Sequence, residues 1–99
     1  MRTREKGYEK YGFEPGEEKR LKEYCKNEGF SDHDILLQSA ISSNPQIAVD
    51  LFYSLINGIS YDRLMTLKYI PIPKTDFYGY QRKCLSMFRN LLLFYGKWE

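Results

Sequence analysis

The chain has 99 residues, a formal net charge of +2, and 42% hydrophobic residues. This length allows at most one domain, and the composition excludes a globally disordered chain. No stretch approaches the roughly 18 to 20 apolar residues that a membrane span needs, and the charged start MRTREKGYEK lacks the apolar segment of a signal peptide. We therefore expect a cytoplasmic protein with no membrane contact, in which Cys25 and Cys84 are free thiols buried in helices.

The charge is distributed unevenly along the chain. Residues 1–16 carry four basic and three acidic side chains, residues 17–59 carry four and seven, and residues 60–99 carry seven and three. The three segments therefore have net charges of +1, −3 and +4, which sum to +2. An asymmetry of this kind indicates that the C-terminal part of the molecule faces a polyanionic partner.

The N-terminal part divides into an arm and the start of a helical domain. Residues 1–16 are polar, contain Gly and Pro, and have no sustained hydrophobic period, so we predict a flexible arm there. Residues 17–99 form a single predicted domain. Its first helix begins at Glu17, where an acid suits the positive helix N-terminus, and Gly29 is a plausible C′ residue that ends it.

The second and third helices have recognisable start and stop residues. Ser31 is the predicted N-cap of the second helix. Asn44 is the predicted cap of the third, with Pro45 at the first helical position, where the missing N–H costs nothing. Apolar residues then recur every three or four positions until Gly58, which we expect to end the third helix.

Two further helices follow, separated by a proline-bearing segment. Ser60 is predicted to cap a short fourth helix over residues 61–68. The segment YIPIP cannot continue that helix, and Thr75 is predicted to cap a long last helix, roughly residues 76–95, closed by Gly96. Because no segment alternates as a strand would, we predict an all-α bundle of about five helices.

The last helix separates into two faces on a helical wheel with 100° per residue. One face is predicted to be core, and it comprises Phe77, Tyr80, Cys84, Phe88, Leu91 and Tyr95. The other face is polar and comprises Thr75, Tyr78, Gly79, Arg82, Ser86 and Arg89. The polar face carries no acid beyond Asp76, so its arginines lack i,i+4 partners on this helix. This pattern is compatible with a contact surface and equally with an ordinary solvated helix face.

A contact surface here would suit DNA. The fourth helix, the short connection and the last helix have the dimensions of a helix-turn-helix over about residues 60–95, whose second helix enters the major groove. Arg82 could pair with guanine or grip phosphates, and other residues could contact bases or the backbone. The candidate DNA-binding residues are Lys74, Thr75, Tyr78, Arg82, Lys83 and Arg89.

A family resemblance points the same way. The segment SYDRLMTLKYIPIPKTDFYGYQRKCLSMF resembles the C-terminal helix-turn-helix of small transcription regulators from phages and mobile elements of Gram-positive bacteria, which is similar to region 4 of sigma factors. The resemblance implies a supporting helix at residues 60–68 and a recognition helix at 75–89. It also implies DNA contact by Lys74, Tyr78, Arg82 and Lys83, and it allows RNA polymerase as a partner. Pro73 departs from the pattern, where a capping residue such as serine would be comfortable.

The C-terminus supports a competing interpretation. In NLLLFYGKWE the apolar residues cover every side of the helix, so either the first three helices or a second subunit would bury them. The candidate interface residues are Leu92, Leu93, Phe94 and Trp98. A homodimer would suit the two half-sites of a DNA operator. The same apolar surface would equally suit a helical protein–protein interaction module or adaptor that does not bind DNA.

Catalysis and cofactors are not expected. His33 is the one histidine and lies between Asp32 and Asp34, but sequence neighbours on a helix do not face one another, so a charged first turn explains it. One histidine and two distant cysteines cannot supply the four closely spaced ligands of a usual zinc site. No nucleotide-binding or nucleophile motif is present, so we expect neither an enzyme nor a small-molecule substrate.

Overall fold

The computed structural model describes residues 13–27 and 31–98. Within these residues the chain is all-α, as predicted, and its five helices have the following bounds: α1 Glu17–Lys26, α2 His33–Ser43, α3 Ala48–Asn57, α4 Tyr61–Met65 and α5 Lys74–Phe94. A turn of 3-10 helix, Pro45–Ile47, leads into α3. Residues 1–12 of the predicted arm and the predicted stop at Gly29 lie outside the described residues.

Most of the predicted helix boundaries are confirmed by hydrogen bonds. The side chain of Asn44 accepts from the backbone N–H of Gln46 at 3.0 Å, and Ser60 accepts from the N–H of Arg63 at 3.2 Å. Gly96 follows α5 with φ of 73°, and the N–H groups of Gly96 and Lys97 donate back into the last helical turn. This is the Schellman arrangement, which satisfies carbonyl groups that the helix end would otherwise leave unpaired.

Two predicted caps are wrong by one or two residues. The N-cap of α2 is Asp32 rather than Ser31, and its side chain does not cap the helix because Tyr24 and Lys97 bind it instead. The N-cap of α5 is Pro73, not Thr75. Pro73 already has the extended ψ of 158° that an N-cap residue needs, so the helix begins at Lys74 and Thr75 lies within its first turn.

Helix α5 runs through the centre of the domain. It packs along α2 and also contacts α1, α3 and α4. The fully buried apolar side chains come from every helix, from the 3-10 turn before α3 and from the connection between α4 and α5. They are Leu21, Cys25, Leu36, Ala40, Ile47, Leu51, Leu64, Ile70, Phe77, Cys84, Leu85, Phe88 and Leu92. Each Val, Leu, Ile or Phe side chain buried in this way contributes about 1.5–3 kcal/mol. The helix predicted to be half exposed is therefore mostly a core helix.

A buried ion pair fastens α5 to α1. The guanidinium of Arg89 lies 3.3 Å from a carboxylate oxygen of Glu17, and both residues are less than a tenth exposed. The same guanidinium lies 4.8 Å from the ring centre of Phe13, and the indole N–H of Trp98 donates to the other Glu17 oxygen at 2.9 Å. Phe13, which precedes α1, and Trp98, which follows α5, thus both contact this ion pair.

The pKa of Glu17 records this environment. Burial raises it, but the backbone N–H of Glu14, the indole of Trp98 and the guanidinium of Arg89 together outweigh burial and hold the pKa below its usual value of 4.5. Glu17 is therefore a carboxylate at neutral pH.

No helix among the described residues is long and apolar enough to cross a membrane.

Candidate nucleic-acid interface

The short helix α4 is held against the start of α5 by a pair of tyrosines. The hydroxyl of Tyr61 donates to the carbonyl of Ile72 at 2.6 Å, and the hydroxyl oxygen of Tyr78 accepts from the backbone N–H of Tyr61 at 2.9 Å. The ring of Tyr61 also packs against Phe77, with 5.3 Å between the ring centres. These contacts cross the connection between the helices, so α4 and the first turns of α5 have a defined relative position.

Helix α4 is shorter than predicted, and the connection is correspondingly longer. The predicted helix extended to residue 68, but α4 ends at Met65, because the next residues form tight turns in which Thr66 and Leu67 donate to carbonyls three residues earlier. Residues 66–73 therefore separate the two helices. A helix-turn-helix typically has a turn of about three or four residues, so this connection is longer than the predicted motif requires.

The first turns of α5 present basic and polar residues at the surface. Lys74, Thr75 and Lys83 are exposed, and Tyr78 and Arg82 are half-buried. The ammonium of Lys74 lies 2.9 Å from Asp62, and its hydrogen bond with that carboxylate raises the pKa of Lys74. Both side chains are exposed, so this pair is weak and a stronger anion could displace it.

The surface does not continue along the predicted polar face. Ser86 and Arg89, which the wheel placed beside Arg82, are both buried. The prediction that Arg89 contacts DNA is therefore wrong, because its guanidinium forms a buried ion pair with Glu17. The wheel describes a single helix, and it could not show that α1 covers this side of α5.

The four predicted interface residues divide into two groups. Leu92 is fully buried, so its prediction as an interface residue is wrong, and Trp98 is half-buried and packs against Tyr24 with 5.8 Å between ring centres. Leu93 and Phe94 are 46% and 80% exposed, respectively. Tyr95, assigned by the wheel to the core, is 56% exposed and follows them directly at the end of α5.

A polar cluster that sequence reasoning missed joins α1, the start of α2 and the C-terminus. The buried carboxylate of Asp32 accepts a hydrogen bond from the hydroxyl of Tyr24 and lies 3.0 Å from the ammonium of Lys97. The bond from Tyr24 is the main reason that the pKa of Asp32 is lowered, and the same bond raises the pKa of Tyr24 to about 12. Residues 65 positions apart in the chain carry no local signal of such a pairing.

The remaining reactive groups indicate packing rather than chemistry. Cys25 and Cys84 are free and buried, as predicted, and burial raises the pKa of each thiol to about 12, so neither is a nucleophile at neutral pH. The ring of His33 packs edge-on against Phe52 at 5.9 Å. Among residues 13–27 and 31–98, no group of three or more His, Cys, Asp or Glu side chains could hold a metal ion.

Comparison with known proteins adds no relative to this description. No protein-family model, no curated protein and no solved structure matches the chain.

Proposed function

We propose that this protein is a transcriptional regulator that binds double-stranded DNA through α4 and the first turns of α5. The observation that carries the proposal is the division of α5: residues up to Lys83 include exposed basic and polar side chains, whereas the helix from Cys84 to Leu92 is mostly buried. A recognition helix has the same division, because its N-terminal residues contact bases while the remainder packs on the domain.

The chemistry of the exposed turns supports this proposal. Arg82 can donate two parallel hydrogen bonds to guanine or to a phosphate, and Lys74 and Lys83 can neutralise backbone phosphates. Residues 60–99 carry a net charge of +4, but Arg89 and Lys97 are paired with Glu17 and Asp32, so the attraction to DNA would come from the basic side chains of the first turns of α5. The candidate contact residues are now Lys74, Thr75, Tyr78, Arg82 and Lys83, without Arg89.

The proposal includes a homodimer in the cytoplasm. Two copies related by a two-fold axis would read two half-sites of one operator. Leu93 and Phe94 are the residues proposed to bury one another between the copies, since both are exposed at the end of α5. The resemblance to region 4 of sigma factors adds RNA polymerase as a proposed partner.

Fluorescence anisotropy with a random-sequence duplex tests the DNA contact. We expect binding at about 50 mM salt that weakens steeply towards about 200 mM, because each neutralised phosphate contributes about 0.9 to the salt slope. Arg82→Ala and Lys83→Ala should weaken binding, whereas Lys19→Ala, which removes an exposed lysine from α1, should not. Equal affinity for all three variants, or no binding by the wild type at low salt, would exclude the proposed surface.

A second candidate function is that of a protein-interaction module. It is favoured by the contiguous exposure of Leu93, Phe94 and Tyr95, which is apolar surface that folding alone leaves in contact with water. In this case Phe94→Glu should abolish association with the partner while Arg82→Ala has little effect. A loss of duplex binding in Arg82→Ala would favour DNA binding instead, whatever Phe94→Glu does to the association of the two copies. Trp98→Ala is unsuitable for this comparison, because it would also remove the hydrogen bond to Glu17.

A further inference from the structure

A pocket of about 220 Å³ opens where α1, the C-terminal end of α3 and α5 meet. Two lysines of α1, Lys22 and Lys26, lie on one side, and Tyr78 and Gln81 of α5 lie on another. Ser60 and Gly58 complete it from the segment that joins α3 to α4. None of the described residues that line this pocket is acidic. Its walls therefore combine two lysines and polar groups with the apolar side chains of Leu55 and Ile59.

Three hydroxyl groups line the pocket: that of Ser54 donates to the carbonyl of Ile59, and the other two accept from backbone N–H groups. Ser60 Oγ accepts the N–H of Arg63, and Tyr78 Oη accepts the N–H of Tyr61. Each of these bonds uses an oxygen lone pair, so the hydroxyl proton remains to be donated to an acceptor. The amide of Gln81 is nearly fully buried, and its Nε2 lies 3.4 Å from Ser54 Oγ, which is a long bond that leaves this donor weakly satisfied.

The lysines supply the charge. The alkyl chain of Lys26 lies directly over Gly58, where a Cβ atom would stand 2.6 Å from Lys26 Cδ. Gly58 also has a φ of 65°, so a glycine is favoured here for two reasons, and its small size lets Lys26 extend along the edge of the pocket. Lys22 is paired with Glu18 at 3.1 Å, one helical turn away on α1. The lining of the pocket thus includes two lysines, of which Lys22 is paired with Glu18, together with two hydroxyl protons and an amide donor.

We propose that this pocket binds a phosphate group. A donor-rich site with lysine ammonium groups matches an anion that offers several acceptor oxygens, and lysine binds phosphate as a point charge. The inference rests on the proposed DNA binding for the source of that group: Tyr78 belongs both to the pocket and to the proposed recognition surface, so a backbone phosphate beside the groove is the expected occupant. A free phosphate ion or monoester has the same chemistry and is distinguished by experiment.

The first experiment titrates the ¹⁵N-labelled protein with inorganic phosphate at constant ionic strength. We expect the backbone resonances of Gly58 and Ser60 and the side-chain amide of Gln81 to shift and saturate. Lys26→Gln should remove the response, while Lys19→Gln, which removes an exposed lysine of α1 outside the pocket, should retain it. Circular dichroism and thermal melting of both variants establish that each is folded. A wild type that does not respond, or a response equal in both variants, overturns the phosphate site.

The second experiment identifies the source of the phosphate with the same variants and a DNA duplex. If a backbone phosphate occupies the pocket, Lys26→Gln should reduce the salt slope by about 0.9, so that the loss of affinity between about 50 and 200 mM salt becomes about threefold smaller. Lys19→Gln should keep the wild-type slope. If Lys26→Gln loses phosphate binding but keeps the slope, the DNA source is refuted and a free phosphate remains. A wild type that binds phosphate but not DNA refutes the proposed function and leaves the pocket standing.

Discussion

The ion pair between Arg89 and Glu17 gives the sharpest test of how α5 is used. If Arg89 faced DNA, Arg89→Met would weaken binding and leave folding unaffected. In the structure its guanidinium is buried against a carboxylate that also accepts from Trp98 and from the backbone of Glu14. Replacing Arg89 leaves that carboxylate buried without its cation. We therefore expect Arg89→Met to act on stability.

The magnitude follows from the burial of the two partners. Removing one member of a buried ion pair typically costs about 3–5 kcal/mol, and the loss of the contact between Arg89 and the ring of Phe13 adds about 0.5–1 kcal/mol. Because both partners keep a small exposed fraction, we expect about 3.5 kcal/mol in all, the lower end of the combined range. A domain of this size has a total stability of roughly 5–15 kcal/mol, so the effect is a large fraction of it.

The assay is urea unfolding at neutral pH, followed by circular dichroism. Arg89→Met should lower the free energy of unfolding, while Lys83→Met, an exposed position on the same helix, should change it by no more than about 0.5 kcal/mol. The double variant Glu17→Gln with Arg89→Met should lose less than the sum of the single changes, by about 1–3 kcal/mol, because it leaves no unpaired buried charge. Unchanged stability in Arg89→Met, or strictly additive losses, would show that the pair does not hold α5 to α1.

Three further predictions concern the hydrogen bonds of Tyr78 and Ser60, the backbone conformation of Gly58, and the dependence of stability on pH. Tyr78→Phe removes the acceptor for a backbone N–H of α4 and should cost about 1–3 kcal/mol, whereas Ser60→Ala removes only an N-cap and should cost about 1 kcal/mol, both measured by urea unfolding. Gly58→Ala should cost at least about 1–2 kcal/mol in thermal or urea unfolding, since its φ of 65° is unfavourable for alanine and the new Cβ would displace Lys26. The pKa values of Glu17 and Asp32 are both lowered in the folded state, so the unfolded chain takes up protons first as the pH falls. The free energy of unfolding should therefore be at its full value at neutral pH and decline below about pH 4.5. A free energy of unfolding that stays constant down to about pH 3 would contradict this.

Local signals in the sequence were sufficient for the all-α class and for several helix boundaries. Asn44, Ser60 and Gly96 act within a few residues of themselves, so their roles can be predicted from short-range rules alone. The same rules misplaced the start of α5. They favour a Ser or Thr cap and so selected Thr75, whereas Pro73, with its fixed φ, is the N-cap.

The environment of α5 could not be predicted in the same way. A wheel for one helix assigned Ser86 and Arg89 to a solvated face, but that face is covered by other parts of the chain. The covering residue Glu17 is 72 positions away from Arg89, and the partner of Asp32 is 65 positions away. Contacts between residues this far apart in the chain depend on tertiary packing. The hydrophobic periodicity of a single sequence does not indicate them. The polar cluster and the pocket were missed for this reason.

The burial of α5 also determines which substitutions can report on function. From Cys84 to Leu92 the helix is mostly core, so changes there alter folding first and any loss of binding would be indirect. Up to Lys83 its exposed side chains are not needed to fill the core, and their replacement can change binding at nearly constant stability. Arg82 and Arg89 lie two turns apart on one face of the same helix, yet they fall on opposite sides of this boundary. Comparing these two arginines in both assays therefore separates a DNA-binding helix from a core helix: if Arg82→Met lowers DNA affinity and Arg89→Met lowers only stability, the first turns of α5 are the contact surface.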